Sequence, residues 1–296
     1  MQRSTQHYDD LIGEFCYPLV TRLTTRAVVG PEFDDDTELH SLFIDYNKMA
    51  ESLMGVALLV PKIFWGLIRG PAKKQDQVLA EHLLPEILRR RENRKKEEER
   101  DASEENQPRV DLLQDLIEEG IEDESILTTV KVLMWASVMN TSSALQHVLY
   151  DVFSRKDLAA RLVAEIGDAY EKSDPPTPTT FDSVGKLALL DACVRESLRM
   201  GAAPFGAARG VFKDVPINKN KKQHAGQADH AQKTTQPTTI PKDQIVLISR
   251  YLIHHDPDQW DRPDEYWPDR FLLGKKGKRI GSYNFIPFGG SIELLS

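Results

Sequence analysis

Residues 124–154 read ESILTTVKVLMWASVMNTSSALQHVLYDVFS. The run Glu122-Asp123-Glu124-Ser125 places carboxylates where the first turn of a helix favours them. Ile126, Val130, Leu133 or Met134, and Val138 then recur at helical spacing, and Leu145, Val148 or Leu149, and Val152 continue the stripe. Val132, Trp135 and Ala136 make the other faces apolar as well, which predicts a helix inside a large domain. At roughly 30 residues it would run about 45 Å, far enough to cross that domain. Its midpoint is polar: Ser137, Asn140, Thr141, Ser142 and Ser143. Either the Ser and Thr side chains bond back to carbonyls one turn earlier and bend the helix a little, or the notch faces a ligand, because buried polar groups need a partner.

The 296 residues suffice for a full core in one or two domains. With 40% hydrophobic and 28% charged residues the composition is that of an ordinary globular protein. A net charge of −8, with no basic stripe carrying aromatics, argues against a nucleic-acid partner. Two cysteines, Cys16 and Cys193, give neither a disulfide framework nor zinc spacing; Cys16 reads as a buried, inert thiol. The most apolar window, 53–68, contains Pro61 and Lys62 and is too short to span a bilayer. No signal peptide or anchor is recognised, so the chain reads as soluble.

Periodicity predicts helices over 8–29, 36–59, 72–99, 111–119, 157–171 and 183–200, with a short apolar segment at 63–68 closed by Gly70-Pro71. The charged tail 89–100 reads as a solvated helix end, since acid follows base at helical spacing. Polar or Pro-rich connections are expected at 101–108 and 174–178. After Gly210 the texture changes: Val211-Phe212 and 245–248 read as strands, and 218–239 as a disordered surface insert. The expectation is a mainly α architecture with a small β region near the C-terminus, forming one partial domain over 1–296.

Glu196-Ser197-Leu198-Arg199 sets an acid and a base on one helical face. The surrounding Leu187, Leu189, Leu190, Ala192, Val194 and Leu198 make that pair partly buried and in need of further partners. Trp267-Pro268-Asp269-Arg270-Phe271 can supply a second arginine, and Phe285-Ile286-Pro287-Phe288-Gly289-Gly290 follows. This order and spacing resembles the cytochrome P450 family of haem-thiolate monooxygenases. The resemblance implies a Glu196, Arg199 and Arg270 network behind a heme b, with 253–257 and 261–264 in the family's meander region. It also implies that the long helix crosses the haem face and offers Asn140 and Thr141 as catalytic residues. Ala136-Ser137-Val138-Met139-Asn140-Thr141 is similar to the sterol 7α-hydroxylase and prostacyclin synthase branch and to many fungal members. Met139 stands where the family has an acid and carries no proton, which keeps an isomerase-type reaction open.

By the same resemblance, Arg209 would reach a haem propionate, and Phe288, Gly289 and Gly290 would form the start of the haem loop. The family motif then places a cysteine seven residues after Phe288, as the thiolate ligand of iron. Leu295 occupies that position, with Ser291 and Glu293 in place of a glycine and a basic residue. Leucine offers iron no lone pair, and Cys193 shares a helix with Glu196, so no metal ligand is assigned. The break after Gly290 is abrupt and reads as a change of reading frame, in a chain truncated at both ends. The implied function is a monooxygenase acting on a lipophilic substrate (a sterol, fatty acid or secondary metabolite), inactive as this sequence. The family implies an NADPH-dependent reductase partner and an endoplasmic reticulum membrane location. The competing expectation is a haem-free helical remnant with a binding role or none.

Overall fold

The computed structural model describes residues 11–57, 65–98, 111–171, 181–201, 207–217, 238–272 and 284–289. The expected loops at 101–108 and 174–178, most of the expected insert, and Gly290 and Leu295 lie outside the described residues. The chain forms two compact units, Met1–Leu149 and Tyr150–Ser296. Helices dominate both, as the periodicity predicts.

In the first unit a π-helical turn, Leu11–Cys16, leads into α1, Tyr17–Val28. It is followed by α2, Thr37–Ala57, and α3, Trp65–Glu98. Then come α4, Leu112–Glu118, and α5, Asp123–Phe153, which passes the unit boundary at its last turn. Their apolar stripes meet in one core: Val20 and Val28 from α1, Leu39 and Phe43 from α2, Leu79, Leu83 and Ile87 from α3, Leu113 and Ile117 from α4, and Ile126, Val130, Met134 and Val138 from α5. The i, i+4 recurrence on α5 is therefore its buried face. Its other faces are not: Val132 is 53% exposed and Trp135 is half-buried. The expectation of a helix buried all round is thus corrected, and one stripe meets the core.

Two further expectations change. α3 does not begin after Gly70-Pro71; the helix continues through them from Trp65. Proline's fixed φ is itself helical, so it removes one backbone bond at about 3 kcal/mol without forcing a turn, and the packed turns that follow offset that loss. The basic run on α3 is not simply solvated. Arg90 is 3% exposed and donates to Glu86 at 2.6 Å, Asp111 at 2.7 Å, Glu32 at 2.7 Å and the Val29 carbonyl at 2.6 Å. Asp111 in turn caps α4 by accepting from the Gln114 amide at 2.9 Å. Arg91 bonds Asp123 at 2.8 Å, and Arg94 bonds the Ile117 and Glu118 carbonyls at 2.8 and 2.9 Å at the end of α4. These arginines satisfy helix-end carbonyls and join carboxylates from distant parts of the chain. Gly30, at φ 129°, lies in this clamp, where a Cβ would meet the Arg90 guanidinium at 2.8 Å.

In the second unit α6 spans Lys156–Glu171 and α7 spans Ala188–Met200. The expected helix from 183 is broken at Gly185–Leu187 after a single turn, Phe181–Val184. The amides that restart it, Leu189 and Leu190, donate to Glu165 of α6 at 2.7 and 3.1 Å; a carboxylate at a helix N-terminus supplies the missing acceptor. Next come β1, Ala207–Gly210, β2, Val215–Ile217, β3, Thr238–Ile240, and β4, Ile245–Ile248. Two antiparallel ribbons result, with Ala207 opposite Ile248 in one and Val215 opposite Ile240 in the other. The strand expected at Val211-Phe212 is displaced to β1, whose small residues pair along β4. Val211 ends that ribbon, exchanging backbone bonds with Gln244 and Asp243 at 2.9 and 2.8 Å, and Phe212 is exposed. β3 takes in Thr238 and Thr239, the last two residues of the expected insert. Two short helices, α8, Arg250–His254, and α9, Asp269–Leu272, complete the unit.

Candidate functional site

A buried cluster of charge organises the second unit. On α7, Glu196 and Arg199 are both 0% exposed. Arg199 donates to both Glu196 oxygens, Nε to Oε2 at 2.8 Å and Nη2 to Oε1 at 2.9 Å, the fork-on-carboxylate geometry that suits arginine. Its remaining donors reach the carbonyls of His254 and Pro263, both at 2.7 Å, and Glu265 at 3.2 Å. Arg270, at the start of α9, donates from Nε to Glu196 Oε1 at 3.1 Å and from its other nitrogens to the carbonyls of Asp261, Arg262 and Glu265. The Trp267 amide adds a fourth donor to Glu196, at 2.8 Å. One carboxylate thus gathers two guanidiniums and an amide, and the guanidiniums fix the backbone of 254–265 by its carbonyls. Burial and the neighbouring Arg199 lower the Arg270 pKa against the pull of Glu196. Trp260 lies 5.2 Å from the Arg199 guanidinium and 5.8 Å from that of Arg270, and Trp267 lies 5.0 Å from the latter.

Several members of this site have no signature in the sequence. His254 is 0% exposed, accepts the Ile286 amide at Nε2 (2.9 Å), and packs its ring on Phe285 with 5.6 Å between centroids. Burial first, then Arg199, His255 and Arg250, push its pKa down to about 4. Tyr266 donates to the Cys193 carbonyl at 3.1 Å and pairs with the Ser197 hydroxyl at 3.0 Å. Arg250 bonds the Pro287 carbonyl. Most of these hydrogen bonds run to backbone atoms, so no side-chain spacing reveals them. The nearest sequence signal is a histidine directly after apolar Leu252 and Ile253.

Of the other expected site residues, Arg209, Phe288 and Gly289 belong to the second unit. Arg209 is in β1, exposed, with Nη1 on the adjacent Ala208 carbonyl at 3.0 Å. Phe288 is 80% exposed and Gly289 turns the chain at φ 97°, its amide on the Ile286 carbonyl at 3.0 Å. Asn140 and Thr141 are exposed on α5 in the first unit, and Asn140 donates to the Ala136 carbonyl at 2.8 Å. The bond back by one turn, expected of the Ser and Thr side chains, is thus made in the notch by Asn140. Ser142 is instead buried, with its hydroxyl 3.4 Å from the Cys16 carbonyl.

The donor set does not fit a thiolate-ligated haem. The sequence has two cysteines, both buried. Burial raises the Cys16 thiol pKa and pushes that of Cys193 up to about 11, the opposite of an available thiolate. Among the described residues no group of three or more His, Cys, Asp or Glu could hold a metal ion, and none of their helices is long and apolar enough to cross a membrane.

Known proteins resemble this chain in sequence. A cytochrome P450 family model matches residues 9–290. Cytochrome P450 3A16 of Mus musculus is 32% identical over 158 residues, 53% of this chain and 27% of its own length. Cytochrome P450 3A41 of Mus musculus is 29% identical over 215 residues, 69% of this chain and 38% of its own length. Cytochrome P450 3A5 of Homo sapiens is 32% identical over 158 residues, 53% of this chain and 27% of its own length. The chain thus spans well under half the length of these relatives. With the match running through the buried Glu196–Arg199–Arg270 cluster to the loop at Gly290, this chain belongs to the cytochrome P450 family.

Proposed function

We propose that this chain is the scaffold of a haem-dependent monooxygenase acting on a lipophilic substrate such as a sterol, fatty acid or secondary metabolite. Its electrons would come from an NADPH-dependent reductase, and its working location would be the endoplasmic reticulum membrane. The observation that carries the reading is the Glu196–Arg199–Arg270 network, a buried charge cluster that holds the segment from 254 to 265 by its backbone carbonyls. Rigid support of this kind suits a loop that must present one ligand to a metal. In this reading the long helix offers Asn140 and Thr141 to the reacting face, as in the sterol 7α-hydroxylase branch, and Arg209, Phe288, Gly289 and Gly290 contact heme b. With Leu295 in the ligand position and both cysteines buried, the sequence as it stands is inactive. The same two observations favour the second reading, a haem-free helical remnant.

Reconstitution with haemin separates the two. The 296-residue chain and its Leu295→Cys variant are reduced under carbon monoxide and their Soret bands compared. The expected result is the red-shifted band of a thiolate–iron carbonyl in the variant and not in the parent. A thiolate band in the parent refutes the placement of the ligand position. No bound haem in either chain sinks the monooxygenase reading and leaves the remnant.

A further inference from the structure

We propose that His254 is a positioning residue for the loop at 285–289, its neutral imidazole carrying the register of the Glu196–Arg199 helix into the backbone of Ile286. That this loop leads to a haem ligand rests on the monooxygenase reading; the positioning itself does not need haem.

The protonation pattern of the ring follows from its two neighbours. Nδ1 lies 3.3 Å from the Arg199 carbonyl, which only accepts, so Nδ1 carries the hydrogen. Nε2 lies 2.9 Å from the Ile286 amide, which only donates, so Nε2 presents its lone pair. Both sides select the same tautomer, and an imidazolium would set an N–H against the Ile286 N–H. Arg199 closes the link from the other direction, its Nη1 on the His254 carbonyl at 2.7 Å. Two crossing bonds therefore join the end of α7 to the end of α8, and the ring passes that register to the loop. Phe285 stacks on the ring at 5.6 Å and Trp260 meets it edge-on at 6.3 Å, so it has no freedom to rotate away. Arg250 ties the Pro287 carbonyl one residue further on, and the Gly289 amide closes the turn onto Ile286.

The charges around the ring keep it neutral. Arg199 faces it from α7, with Glu196 already committed to both arginines. Arg250 stands on its own helix and His255 directly follows it, and Arg270 approaches from α9 across the shared Trp260. Burial among cations disfavours a second proton.

Hydrogen exchange followed by NMR on the full 296-residue chain tests this with two variants. His254→Phe keeps a flat ring against Phe285 and removes the acceptor. His254→Gln puts an oxygen near the place of Nε2. The Ile286 amide is expected to exchange about tenfold faster in His254→Phe, the consequence of losing one net hydrogen bond. Protection should return in His254→Gln while the amides of 196–199 stay protected throughout. Unchanged protection in His254→Phe overturns the proposal, since the ring would then act by packing alone, as does equal loss in both variants, since an acceptor in that place would then not protect the amide. Should His254→Phe not fold, the nitrogen chemical shifts of the parent imidazole still decide: an unprotonated Nε2 is required, and a protonated one refutes the proposal. Missing haem in the Leu295→Cys chain, with Ile286 protected as expected, fails only the monooxygenase reading.

Discussion

Removing the Arg199 guanidinium is the sharpest test of the buried network. In Arg199→Ala, Glu196 Oε2 loses its Nε partner at 2.8 Å, and the carbonyls of His254, Pro263 and Glu265 lose theirs. The bonds to Glu196 and the His254 carbonyl lie where Glu196, Arg199 and His254 are 0% exposed, so water cannot replace them without opening the core, whereas those to Pro263 and Glu265 are part-buried. Breaking a buried ion pair typically costs about 3–5 kcal/mol. Here Arg270 and the Trp267 amide remain on Oε1, so Glu196 is not left alone. The expected loss is therefore toward the lower end, about 3 kcal/mol. Arg195→Ala serves as the control: its pair with Asp191 is i, i+4 on the same helix, but the two side chains are 50% and 58% exposed, and such pairs contribute about 0.5 kcal/mol or less. Urea unfolding followed by near-ultraviolet circular dichroism reports the second unit directly, because Trp260 and Trp267 flank the network. Arg199→Lys keeps the charge but cannot span both carboxylate oxygens and three carbonyls, so it should recover only part of the loss. If Arg199→Ala lies within about 0.5 kcal/mol of Arg195→Ala, the network contributes no more than a surface pair, and its role as the organiser of the second unit is refuted.

In the first unit, Arg90→Leu should cost about 3 kcal/mol, the lower end for a broken buried pair, since it removes the guanidinium partner of the buried Asp111 while Glu86 keeps Arg89. Arg89→Ala, at a side chain 49% exposed, should cost under about 1 kcal/mol; thermal melting of both variants checks the contrast. His254 should make the fold acid-sensitive. Its folded pKa, about 4, lies below the ordinary 6.5, so the folded state binds fewer protons than the unfolded one between those values. Its stabilising contribution is complete above about pH 6.5 and is lost as pH falls toward 4, by about 3 kcal/mol at about 1.36 kcal/mol per pKa unit. Unfolding free energies of the parent and His254→Gln, compared at several pH values, should diverge over that range, and parallel curves would contradict the burial of a neutral ring. Cys16 and Cys193, both buried with raised pKa values, should resist alkylation in the native chain and react after denaturation. Rapid labelling of either in the folded protein would show that its helix opens locally.

What the sequence made legible, and what it did not, follows from how far each interaction reaches. α5 runs Asp123–Phe153, one residue from the expected 124–154, because a repeating apolar stripe is a local property of the chain. The Glu196–Arg199 pair is legible for the same reason, being i, i+3 on one helix. The basic tail of α3 misled because its local pattern is also real. Arg90 does pair with Glu86 at i, i+4, yet Asp111 and Glu32 reach it from 21 and 58 residues away. No spacing rule distinguishes an arginine that meets water from one that meets such distant partners. Pro71 misled in the opposite way, a local rule overridden by the helix on either side of it. The candidate site combines both lessons. Its charged residues stand in readable motifs, whereas what fixes their geometry is donation to the carbonyls of His254, Pro263, Asp261 and Glu265. Every residue has a carbonyl, so such bonds leave no mark on residue type. A substitution that keeps all three motif residues but shifts the backbone of 254–265 would therefore dismantle the network while leaving its motif intact.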